Sequence, residues 1–164
     1  MAKKAGTNDL YPGTPEQVMD MMRQKEYFQA KYVALQDDTF EILEHKPSPD
    51  GLTFKVDRTV QANLPAFAKK VLGETNRLVQ RETWTRKGDG YHADVVIDSP
   101  GKPIALNGVM DITPKGATES MWKVEFTIKG SLPLMGKVED IVAKETQDNL
   151  AKEYVFNKKW LAEH

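Results

Sequence analysis

From Leu132 to His164 the chain has no glycine after Gly136 and no proline after Pro133. Glycine weakens helices through backbone entropy and proline through its missing N–H, so this stretch reads as one long C-terminal helix. On a wheel of about 100° per residue, Leu134, Val138, Ile141, Val142, Phe156 and Trp160 share one side, flanked by Leu150, Tyr154 and Leu161. Asp140, Lys144, Gln147 and Lys158 lie opposite. Asn149 and Glu153, one turn apart, interrupt the middle of the apolar side, with Glu145 and Thr146 at its edges. An unpartnered polar group facing a dry core costs about 1–3 kcal/mol. The interruption therefore implies a partner, a wet cavity, or a helix turned from this wheel.

The residues ahead of the helix supply what it covers. From Thr39 the hydrophobic period is two, which argues antiparallel strands with one buried face. Phe40 and Ile42 alternate with Glu41 and Leu43, and Pro47 to Gly51 make a turn. Leu52, Phe54, Val56, Arg58 and Val60 then alternate with Thr53, Lys55, Asp57, Thr59 and Gln61. Arg58 thus falls on the apolar face, either with its head reaching water at the rim or with a buried partner or ligand anion. Helical spacing returns at Leu64, Phe67, Ala68, Val71 and Leu72 and stops at Gly73, which makes a lid or a plug at one end of the sheet. Thr75 to Arg86 is the next strand, with Leu78, Gln80, Glu82 and Trp84 on one face. If the bulkier pair Leu78 and Trp84 points inward, Glu82 does too. Tyr91 to Ile97, Ile104 to Ile112, and Trp122, Val124, Phe126 and Ile128 complete the inward rows, joined by turns rich in Gly and Pro.

The N-terminal part differs. Residues 7–12 form a short first strand, and Thr14, Pro15 and Gln17 then spell a helix start with a capping box. A second short helix follows through Lys25 to Leu35, with Tyr27, Phe28, Tyr32 and Val33 facing inward. At 164 residues the whole chain, 1–164, is expected to be a single domain. Its fold class is then α+β: a curved antiparallel sheet of about seven strands gripping a long C-terminal helix, with two short helices after the first strand.

That order of elements, the Tyr11-Pro12-Gly13-Thr14-Pro15-Glu16-Gln17-Val18 opening, the aromatic cluster after Lys25 and the Glu82-Thr83-Trp84 strand resemble a bacterial branch of the START-like superfamily. This is the helix-grip superfamily that includes the birch-pollen-allergen-like proteins and polyketide cyclases. The resemblance implies an elongated apolar cavity between sheet and helix. It also implies a ligand such as a lipid, sterol, isoprenoid or polyketide, with chemistry in a minority of members.

Composition and motifs narrow the function classes. Lys and Arg number 23 against 24 Asp and Glu, for a net charge of -1, so nothing favours nucleic acid or an anionic membrane as partner. No apolar run reaches the ~20 residues of a membrane span, so stable membrane insertion is not expected. The chain has no cysteine, which suits a cytoplasmic location. His45, His92 and His164 are scattered, so no metal site is expected. Gly88-Asp89-Gly90 is a turn without a following helix, not a phosphate loop, and no cofactor is expected. Asp37, Asp38, Glu41 and Glu44 read as a solvated face.

What remains is a polar set in an apolar cavity. Arg58, Glu82, Asn149 and Glu153 fix a ligand or pair with one another, while Trp84, Tyr91, Trp122, Phe126, Val138 and Val142 supply contact area. Arg58 is free in this reading to pair with Glu82 or Glu153, or to hold a carboxylate. The first expectation is binding or transport of a small hydrophobic ligand, with no catalytic residue assigned. Two alternatives stay open: a protein-interaction module with a filled core, and a cyclase or dehydratase using a cavity carboxylate.

Overall fold

A computed structural model of the chain describes residues 2–61 and 64–164. Of Gln61 only the backbone is described, so its expected outward side chain lies outside it. The elements run β1 (Lys3–Tyr11), α1 (Pro15–Met22), α2 (Lys25–Ala34), β2 (Thr39–Ser48), β3 (Gly51–Gln61), α3 (Ala66–Leu72) and β4 (Thr75–Lys87). β5 (Gly90–Asp98), β6 (Ile104–Lys115), β7 (Glu119–Gly130) and α4 (Gly136–Glu163) follow. The strands form one antiparallel open sheet in the order β1-β7-β6-β5-β4-β3-β2. Neighbours from β2 to β7 are joined in sequence, whereas β1 pairs with the last strand. β1 starts at Lys3 rather than at residue 7, and opposes β7 from Lys3 with Ile128 to Tyr11 with Ser120.

α4 has 28 residues and at 1.5 Å per residue is about 42 Å long, enough to lie along the whole inner face. It begins at Gly136, not Leu132. Leu134, placed by the wheel on the apolar side, is 101% exposed with a left-handed φ of 62° in the turn before the helix. Gln147, expected to face solvent, turns to the sheet edge. β1 is an edge strand, and edges leave backbone groups unpaired. The Gln147 amide answers both at Gly6, accepting from its N–H at 3.1 Å and donating to its carbonyl at 2.8 Å. Tyr154 adds a hydroxyl bond to the Leu10 carbonyl at 2.8 Å.

The short helices seal the other end. Thr14 Oγ1 accepts from the Gln17 backbone N–H and Gln17 Oε1 accepts from Thr14 N–H, so the capping box closes with Pro15 at the first helical position. Val18, Met19, Met21 and Met22 are buried beneath it. On α2, Tyr27, Phe28 and Tyr32 are buried as expected, and Phe28 stacks on Phe54 of β3 with ring centroids 3.8 Å apart. Burying one such ring contributes about 2–3 kcal/mol. Val33 is exposed instead, and Lys31 takes an interior place. α3 buries Ala68 and Leu72 and leaves Phe67 exposed. Gly73 ends it with φ 81°, a conformation open to glycine at little cost.

Inside the sheet, Leu52, Phe54, Val56, Trp84, Val95, Ile112, Val124 and Ile128 are buried. Gly108 stands directly opposite Phe126, and a Cβ there would come within 2.5 Å of that ring, so glycine is what admits the phenylalanine to the inner face.

Candidate functional site

Two adjoining voids lie between the inner face of the sheet and α4. The larger, about 110 Å³, has apolar walls from Leu64, Leu78, Ile97, Leu106, Phe126 and Val142. Its polar lining comes from Arg58, Asn76, Gln80, Glu145, Thr146, Asn149 and Glu153. The smaller, about 30 Å³, is bounded by Tyr11, Phe28 and Trp122, and by Asp9, Lys31, Glu82, Glu153 and Asn157. Met110, Leu150 and Glu153 line both, so Glu153 stands at the junction.

The charges in this layer are paired in ways the sequence did not disclose. Arg58 is buried, and its guanidinium binds both oxygens of Asp37 at 2.7 and 2.8 Å. Asp37 was read as solvated, yet its side chain is 1% exposed. The turn after α2, with Gln36 at φ 60°, carries it back under the sheet. Arg58 therefore pairs with neither Glu82 nor Glu153, which corrects both expected partners, and its head does not reach out to solvent. A bidentate pair of this geometry is the strong form of the interaction.

Glu153 instead receives Lys31, Nζ to Oε1 at 2.7 Å. Lys31 is 5% exposed and its ammonium lies 5.4 to 5.6 Å from the ring centres of Tyr27, Phe28 and Tyr32. Burial works against that charge, but the Glu153 carboxylate, then Tyr27, Tyr32 and Glu82, outweigh it and hold the Lys31 pKa well above the ordinary lysine value. Glu82, 3% exposed, accepts from Gln80 Nε2 at 2.6 Å and Trp84 Nε1 at 2.9 Å. Asn157 is buried one turn beyond Glu153, where its amide accepts from the Tyr27 hydroxyl and donates to that of Tyr11. Burial pushes the pKa of both tyrosines up, so they act as neutral hydrogen-bonding groups. Among the described residues several side-chain atoms are buried with no partner, and two of them line the voids: Asn76 Oδ1 the larger and Trp122 Nε1 the smaller.

Of the residues picked out from the sequence, Arg58, Phe126, Val142, Asn149 and Glu153 line the larger void, and Glu82, Trp122 and Glu153 the smaller. Trp84 lies behind Glu82 and holds it. Val138 is buried but lines neither void. Tyr91 faces α1, where its hydroxyl donates to Glu16 and accepts from Arg23, so it fastens that helix to the sheet. The sequence reading missed Lys31, Asp37, Asp9 and Asn157. Asn157 continues the four-residue spacing of Asn149 and Glu153, and Asp9 alternates with Tyr11; both signals were present. Among the described residues, no group of three or more His, Asp or Glu is placed to hold a metal ion, and no helix is long and apolar enough to cross a membrane.

Solved structures share this architecture. An aromatase/cyclase from Streptomyces sp. R1128 superposes with a TM-score of 0.70 at 9% identity, covering 99% of this chain and 94% of that one. A START superfamily protein from Mycobacterium smegmatis gives 0.61 at 13%, covering 98% and 97%. Norcoclaurine synthase from Thalictrum flavum gives 0.63 at 12%, covering 100% and 88%. At these identities the likeness is one of fold, and the fold is the START-like helix grip. No curated protein sequence matches the chain. Residues 9–161 match the family described as "Protein of unknown function (DUF2505)", and the chain belongs to that family.

Proposed function

We propose that the protein binds a small, mainly apolar molecule in the void between the sheet and α4. The observation that carries this reading is the larger void, whose apolar walls surround a few polar groups. Its cations are already engaged, Arg58 by Asp37 and, at the junction, Lys31 by Glu153. A void of about 110 Å³ is on the scale of one aromatic ring, since an engineered apolar cavity of about 150 Å³ takes benzene. A lipid, isoprenoid or polyketide needs more room.

Lys31 is held protonated by Glu153. A lysine held firmly protonated is neither nucleophile nor base at neutral pH, so it positions Glu153 rather than reacting.

Thermal denaturation with benzyl alcohol as probe tests the reading. At ten times its dissociation constant a ligand adds about 1.4 kcal/mol, which raises Tm by about 3–6 °C in a chain of this size. The gain should vanish in Val142→Phe, which fills the void. An equal gain in that variant, or none in the wild type, overturns the proposal.

A further inference from the structure

The charges around the smaller void do not balance. Lys31 is ion-paired with Glu153 and Arg58 with Asp37; Glu82 has only the more distant attraction of that same Lys31, and neither Glu82 nor Asp9 makes an ion pair of its own among the described residues. Glu82 is held by two neutral donors, an amide and an indole, which orient a carboxylate without cancelling its charge. Asp9 stands directly opposite Trp122 across the β1–β7 ladder, so the two share the inner face. Three carboxylates, Asp9, Glu82 and Glu153, thus face one ammonium around about 30 Å³. They do not converge closely enough to hold a metal ion.

A second observation concerns polarity rather than charge. Trp122 is 7% exposed, lines the same void, and its indole N–H has no acceptor among the described residues. Buried donors in folded proteins are mostly paired, and of the unpaired ones among the described residues this is the one that lines the smaller void. A cationic donor alone would answer the carboxylates and leave this group unmet; a ligand that also carries an oxygen acceptor answers both. The larger void, which shares Met110, Leu150 and Glu153 with the smaller one's lining, offers the apolar walls for the rest of such a molecule.

We propose that the ligand is a small apolar amino alcohol, its ammonium against Glu82 and Asp9, its hydroxyl accepting from Trp122, and its apolar body in the larger void. This rests on the ligand-binding reading above and narrows it to one chemical class. The smaller void sets the head group and the larger one the body.

Calorimetric titration of the full chain with valinol, its diol isostere and its hydroxy-acid isostere tests it. The amino alcohol should bind at least about tenfold more tightly than the diol, because hydrogen bonds between charged partners are roughly twice as strong as neutral ones. The hydroxy acid should bind weakest. Asp9→Asn, at a half-buried position with no side-chain bond to lose among the described residues, should cut valinol affinity about tenfold and leave the diol within about twofold. Equal binding of valinol and the diol, or unchanged valinol affinity in Asp9→Asn, overturns the amine assignment. If none of the three binds while benzyl alcohol still stabilises the protein, the amine assignment falls and the ligand-binding reading stands. If benzyl alcohol fails as well, both fall.

Discussion

Changing Glu153 to glutamine removes the only carboxylate in contact with Lys31 among the described residues, and its cost can be worked from the geometry. At 2.7 Å and an effective dielectric of about 20, the attraction is about 6 kcal/mol. It stands against the several kcal/mol needed to take an ammonium out of water. After the substitution, the ring faces of Tyr27, Phe28 and Tyr32 remain around the charge, each contributing about 0.5–2 kcal/mol. The net loss should then be about 3–5 kcal/mol, the usual cost of orphaning one member of a buried pair, or about 10 °C in Tm. The double change Lys31→Met with Glu153→Leu removes both charges and should lie within about 2 kcal/mol of wild type. Urea denaturation of the two singles and the double, read as a double-mutant cycle, measures the coupling. A Glu153→Gln protein within about 0.5 kcal/mol of wild type, or a double as unstable as the sum of the singles, would refute this account of the pair.

The same pair shapes the alkaline limb of stability. Its folded lysine pKa is raised, so the contribution is complete below the unfolded value of about 10.4 and is lost as pH climbs above it. Wild type should therefore lose stability above about pH 10.4 faster than the charge-free double variant in pH-jump melts. At the acid end, the Tyr91 hydrogen bond, and then Arg23, hold the Glu16 carboxyl below its ordinary range against the effect of burial. Glu16→Gln should flatten the loss of stability as pH falls below about 4.3, by a small amount because the side chain is half exposed. Asp37→Asn leaves the buried Arg58 guanidinium without a carboxylate and should cost about 3–5 kcal/mol in denaturant melts. Asn157→Leu strands the hydroxyls of Tyr11 and Tyr27, at about 1–3 kcal/mol each, and calorimetric melting would detect it. Gly108→Val places a branched side chain against Phe126 and should destabilise by about 1–3 kcal/mol, with the Phe126 ring resonances displaced.

Where the pattern is periodic, the sequence was enough. Leu78, Gln80, Glu82 and Trp84 share one face because a strand has a period of two; periodicity left open which face is inside, and Glu82 follows the buried Trp84. The capping box at Thr14 and the stop at Gly73 follow from local hydrogen bonding and backbone freedom. The polar interruption of α4 at Asn149 and Glu153 was legible as a problem needing a partner. The partner was not legible, because Lys31 lies on another helix and a lysine beside exposed neighbours reads as solvated. Its burial depends on Glu153, a contact between residues far apart in the chain. Asp37 was hidden for the same reason: one backbone turn at Gln36 decides whether it meets water or Arg58. The wheel also ran past the true start of α4, so Leu134 was given a face in a segment that is not helical.

The void between the sheet and α4 is the centre of the account, and methyl-resolved NMR titration with benzyl alcohol addresses it most directly. Saturable shifts are expected of the Leu78, Leu106 and Val142 methyls, which line the void, with none at Val155 on the exposed side of α4. Shifts confined to exposed positions such as Val155 and Val96, or no saturation at any of the lining methyls, would contradict it.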